Sequence, residues 1–160
     1  MNMLNPKLKN RILKTLSLVT ALVLCLAALS AQAQTAYRYD TAGVTLRGTL
    51  VRKVKHGPPG FGQSPSRDRK EAIYVLKLSA PISVRPLDDA KAKGSPNLDP
   101  ADHVQEIQVF LEDGAKALKA LSGKEVSATG TLNNAIAPSQ YTKVWIDAVH
   151  VVETRAPQSE

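Results

Sequence analysis

Between Arg47 and Lys77 the chain gathers eight basic residues: Arg47, Arg52, Lys53, Lys55, Arg67, Arg69, Lys70 and Lys77. Only Asp68 and Glu71 oppose them, so the segment carries a net +6. The rest of residues 34–160 holds nine basic and twelve acidic side chains, a net −3. A charge block of this kind raises the local concentration of anions and steers them inward, in a salt-dependent way. Arg52, Lys53, Lys55, Arg67, Arg69 and Lys70 are the expected contact charges, with Phe61 as an apolar anchor among them. The competing account of the same residues is a solvated hairpin that its charge keeps soluble. Single-stranded nucleic acid is disfavoured as the anion, because it needs aromatic stacking platforms beside the charge. Phe61, Tyr74 and Tyr141 are the aromatic residues in reach, and Tyr74 reads as core. A lipopolysaccharide phosphate, an anionic headgroup, an acidic glycan or the acidic face of a protein partner fits better.

Catalytic patterns are sparse. The chain has no Gly-x-Ser-x-Gly elbow, no His-Glu-x-x-His and no phosphate-cradling glycine loop ending in Lys-Ser/Thr. His56, His103 and His150 are scattered and read as surface or strand-edge residues. Asp88, Asp89, Asp99, Asp102 and His103 place oxygen and nitrogen ligands in one region. Their spacing matches no metal loop, and Lys91 and Lys93 interrupt them. The reading favours a non-enzymatic binding module with no cofactor. The alternatives are a metal-assisted hydrolytic enzyme using the 88–103 loop, and a structural accessory of an envelope assembly.

The N-terminal residues set the compartment. Lys7, Lys9, Arg11 and Lys14 precede the apolar run Leu16–Leu29, and Ala31-Gln32-Ala33 supplies the small-x-small pattern that a signal peptidase accepts. Residues 1–33 are therefore expected to be a signal peptide cleaved after Ala33, and the mature chain to be periplasmic or secreted, with no transmembrane segment. Much of the high whole-chain isoelectric point leaves with the signal. Cys25 is the single cysteine and lies within the apolar run, so the mature chain has no disulfide. Leu24 precedes it where a lipoprotein signal needs a small residue.

The remaining chain has the length of one domain. Residues 34–43 form a lead-in, with Tyr37 and Tyr39 packing on the domain edge. Val44–Val51 alternates apolar and polar residues, which predicts a half-buried strand. Gly48 on its apolar face predicts a bend or a close backbone approach. His56–Ser66, rich in Pro and Gly, predicts a long loop. Glu71–Leu78 is the second strand, ended by Pro81, with Ile82–Val84 a short extension. Residues 85–102 form a surface loop, and Val104–Leu111 is the third strand. Asp113 is placed to cap a short helix over Ala115–Leu121, and Gly123 to stop it. Glu125–Leu132 is the fourth strand, with Asn133-Asn134 opening a turn. Lys143–Val152 is the fifth strand, with Val144, Ile146, Ala148, His150 and Val152 on one face. Residues 154–160 form a flexible tail. Three strands, a short helix and two strands predict a mostly β domain over 44–153, a five-stranded OB-like Greek-key barrel with one short helix between strands three and four. A small β-sandwich is the alternative.

Several of these segments together resemble a bacterial family of small exported proteins known as a domain of unknown function. They are Gly43–Leu50, Tyr74–Leu78 with Pro81–Val84, Ile107-Gln108-Val109, and Leu121–Val126 running on through Gly130-Thr131-Leu132. The resemblance covers about residues 43–152 and implies an exported OB-like β-domain without an assigned activity. Members often carry histidines between the last two strands. Ser139-Gln140-Tyr141-Thr142 stands there in this chain, so no histidine role is carried over. The Gly-Thr-Leu pattern is more loosely similar to periplasmic OB-fold proteins of the stress-response type.

Overall fold

The structure is a computed structural model, and it describes residues 35–154. The expected signal peptide over residues 1–33 and the expected tail beyond Thr154 lie outside the described residues. Six strands and one helix run in the order β1 (Thr35–Arg38), β2 (Val44–His56), β3 (Lys70–Arg85), β4 (Ala101–Leu111), α1 (Ala115–Leu121), β5 (Glu125–Asn134) and β6 (Val144–Glu153).

Strands β2 to β6 close into a barrel. β2 pairs antiparallel with β3 and β5, β3 with β4, and β5 with β6, while β4 and β6 run parallel. This circuit, with α1 between the third and fourth barrel strands, is the five-stranded Greek-key arrangement of the OB type. Period-two patterning drives it: Leu46 and Leu50 of β2, Leu76 of β3, Ile107 of β4, Val126 and Leu132 of β5 and Ile146 of β6 all point into one core. Burying each large aliphatic side chain is worth about 1.5–3 kcal/mol. Leu118 of α1 joins that core, and the helix packs against β2 and β6. Among the described residues no helix is long and apolar enough to cross a membrane.

Two glycines permit closure. Gly48 faces Leu78 on one side and Val126 on the other, and a Cβ there would lie 2.1 Å from the Lys77 carbonyl oxygen. A Cβ on Gly130 would lie 2.0 Å from the Asp147 carbonyl oxygen. The close approach read from Gly48 is therefore present, and Gly130 repeats it across β5 and β6.

The structure corrects several local readings. The lead-in contains β1, which pairs parallel with Ile82–Arg85, and Tyr39 beyond it is fully buried rather than at an edge. Pro81 does not end the second strand; β3 continues to Arg85. The β2 register stops at Leu78 and the far β4 register resumes at Ile82, so Pro81 sits where β3 exchanges partners and owes no N–H to the ladder. Asp113 does not cap α1: its own φ is 52°, and Gly114 occupies the cap position without a side-chain bond. Asn133 and Asn134 remain in β5. In β6 the pairing skips from Ala148 to His150 opposite Gly130 and Thr129, which leaves Val149 as an extra residue. The bulge reverses the facing of the residues beyond Val149. Val151 packs on the core, while His150 and Val152 turn out, contrary to the simple alternation.

The 86–100 loop is anchored by Asn97, which is 2 % exposed. Its Nδ2 donates to Asp40 Oδ1 and Asn133 Oδ1, and its Oδ1 accepts from the Asn134 N–H at 2.7 Å. One side chain thus ties the loop to the β1–β2 turn and to the end of β5.

Gly130→Ala should destabilise the domain by about 3 kcal/mol or prevent folding, because backbone on both sides must shift. Gly94→Ala, whose added Cβ meets nothing within 4 Å but whose φ is +67°, should cost only about 1 kcal/mol. Chemical denaturation of the two variants checks the contrast.

Candidate functional site

The basic block lies on the β2–β3 hairpin, which runs from Gly48↔Leu78 out to His56↔Lys70. Opposed residues share a face in an antiparallel pair. One face therefore carries Arg52 with Tyr74, Val54 with Ala72, and His56 with Lys70; the other carries Lys53 with Ile73 and Lys55 with Glu71. Arg52, Lys55, Arg67, Arg69 and Lys70 are exposed, and none has an ion-pair partner among the described residues. Lys53 differs. It is half-buried, and its Nζ lies 2.6 Å from Glu106 Oε2 on β4. Lys77 approaches the other oxygen of Glu106 at 4.0 Å. The bond from Lys53 holds the Glu106 carboxyl below its usual range against the opposing effect of burial, with help from the charges of Lys53, Lys77 and Lys55. Lys53 is thus committed within the fold.

The loop between the two strands is internally braced. The buried Asp68 carboxylate accepts the N–H of Gly60 at 2.7 Å and of Gly62 at 2.6 Å. Burial disfavours its charge, but the backbone donors of Gly62, Gly60 and Ser64, together with nearby His56, outweigh that and lower its pKa. Short turns complete the brace: Phe61 N–H to Gly57 O at 2.9 Å, Arg67 N–H to Ser64 O at 2.9 Å, and Arg69 N–H to Pro58 O at 3.1 Å. Phe61 adopts a φ of 49° and is half-buried, so it is only partly available as an anchor. Arg67, Arg69 and Lys70 flank Asp68 and are displayed on this ordered turn.

The β5–β6 loop reaches the same region, and the residue pattern of that loop gives no sign of it. Tyr141 Oη donates to the His56 carbonyl at 2.7 Å. Burial, with Glu71 and Asp68 nearby, pushes the Tyr141 phenol up. Gln108 of β4, 3 % exposed, fastens that loop: its Nε2 donates to Ser139 O at 3.1 Å and its Oε1 accepts the Tyr141 N–H at 2.7 Å. Thr142 Oγ1 accepts the Gln108 N–H at 2.8 Å. A glutamine in an alternating strand looks solvent-facing, so only its partners reveal the role.

Three of the four carboxylates of the 88–103 region, all but Asp99, are separately engaged. Asp88 pairs with Arg38, Asp89 with Lys93, and Asp102 with Arg85 at 2.6 Å and Ser83 Oγ at 2.8 Å. These partners lower the pKa of Asp102 and Asp89. No cluster of three or more metal-ligating side chains occurs among the described residues.

The class defined by fold and surface is an OB-type barrel with a basic, braced first hairpin. No family model, curated protein or solved structure matches the chain, so the likeness to the exported family rests on its sequence segments between residues 43 and 152.

Because its pKa is lowered on folding, Asp68 stabilises the loop above the unfolded carboxylate pKa, and that contribution is lost as pH falls through the folded value. Amide exchange at Gly60 and Gly62, corrected for intrinsic rate, should therefore be protected at neutral pH and lose protection in acid. Asp68→Asn should exchange faster at neutral pH and show little acid dependence. Unchanged protection in the variant contradicts the brace.

Proposed function

We propose that the chain is an exported, non-enzymatic binding module whose basic first hairpin contacts an anionic ligand or partner. One observation carries this reading: five exposed cations, Arg52, Lys55, Arg67, Arg69 and Lys70, stand without ion-pair partners among the described residues on a hairpin with a braced loop. Charge displayed on an ordered loop backbone loses less loop freedom on binding than charge on a floppy loop. Export is supported by the basic n-region, the apolar run and the Ala31-Gln32-Ala33 pattern.

Inorganic polyphosphate is the simplest probe of the surface. At low salt it should shift amide resonances of residues 52–70, and added salt should reverse the shifts. The triple variant Arg67→Ala, Arg69→Ala, Lys70→Ala should bind at least about tenfold more weakly. Its unfolding free energy should stay within about 0.5 kcal/mol, as expected at exposed positions. Unaltered affinity in this variant rejects the hairpin as the contact surface.

A further inference from the structure

The barrel is not zipped along its whole length. β3 and β4 are in register at Lys77↔Glu106, Leu76↔Ile107 and Val75↔Gln108, and there the register ends. β3 continues back to Lys70 and β4 forward to Leu111, but Lys70–Tyr74 are in register with β2 alone. On the other side of the split, Val109–Leu111 are in register with β6. Between them lies a cleft of about 190 Å³, lined by Glu71–Tyr74, by Gln108–Phe110, and by Ser139 and Tyr141 of the β5–β6 loop.

Two properties of the cleft restrict what can enter. Its walls are strand edges. In an antiparallel strand every second residue turns its N–H and C=O away from its partner, so Lys70–Tyr74 present such groups towards the split. An edge of this kind is completed by an extended chain, which supplies matching backbone groups and alternates its side chains between two faces. The second property is charge. From Glu71 on the cleft wall the chain runs back into the hairpin tip, where Lys70, Arg69 and Arg67 are exposed and unpaired among the described residues. Glu71 is the acidic residue on the wall; it stands opposite Lys55, and its carboxyl group packs over Gly57. Tyr74, Ile73 and Phe110 supply apolar surface beside the edge.

We infer that the Lys70–Tyr74 edge of β3 is a β-augmentation site for an extended acidic peptide segment of a partner protein. The inference rests on the basic hairpin being a contact surface, and it names the chemistry that surface selects. Backbone hydrogen bonds along Lys70–Tyr74 hold the segment, and the cations at the hairpin tip select its acidic side chains. Shorter side chains on the alternate face lie against Ile73 and Phe110, which fall on one face when the Val75↔Gln108 register is extended.

The test separates backbone pairing from charge. The probe is a capped seven-residue peptide of alternating Glu and Val, offered to the full chain at low salt. Two N-methylated versions accompany it, one blocked at the odd amides and the other at the even amides, with identical charge. Binding should shift the amides of residues 70–74 and 109–110. One methylated isomer should bind at least about tenfold more weakly than the parent, and the other within about twofold. Equal binding by both isomers overturns the edge site and leaves the basic hairpin reading standing. So does binding of polyphosphate, or of vesicles rich in anionic lipid, without binding of the peptide. Concentration-dependent self-association mapped to residues 70–74 also overturns it, in favour of a second copy of the chain. Failure of every anion to shift residues 52–70 overturns both readings.

Discussion

The fold depends on β2 serving two neighbours. Its first half pairs with β5 and its outer half with β3, and the two ladders overlap at Gly48 and Thr49. At that crossing the chain must coil sharply, and backbone from β3 occupies the space where a side chain would begin. The rest of the architecture is a consequence of that handover. The inner half of β2 closes the barrel and buries Leu46, and Leu50 is buried just past the crossing. The outer half is released from β5 and projects with β3 as a two-stranded hairpin. Charge that would be costly inside the barrel is displayed there instead.

Much of the architecture was legible because period two is a strong signal wherever one face is buried. The five barrel strands and the helix at Ala115–Leu121 stand where the patterning places them. The misses share a cause: each needs a partner distant in sequence. Thr35–Arg38 is too short to announce a strand and becomes one only beside Ile82–Arg85. Pro81 reads as a terminator until β3 is seen changing partners around it. The β6 bulge is invisible in its own residues, because the misfit that produces it lies opposite, at Thr129 and Gly130.

The same distinction applies to the candidate site. The density of cations and the Pro- and Gly-rich loop were plain in composition. Which cations are free was not. Lys53 is neutralised by Glu106, 53 residues away, whereas Arg67 and Arg69 are not paired with the Asp68 that separates them in sequence. That acid commits its hydrogen-bonding capacity to Gly60 and Gly62. Local charge counting therefore does not show which cations are unpaired: Asp68 keeps its negative charge, but its oxygens are held by backbone donors and not by the flanking arginines.

The bond from Tyr141 to the His56 carbonyl joins two loops that the chain visits far apart, and Gln108 fixes the β5–β6 loop to the barrel wall. In mechanical terms the hairpin is a propped cantilever rather than a free one. Thermal bending about the coil at Gly48 is resisted from the side as well as at the root. A load on the tip therefore passes through Tyr141 and Gln108 into β4, so the barrel wall shares any force the hairpin receives.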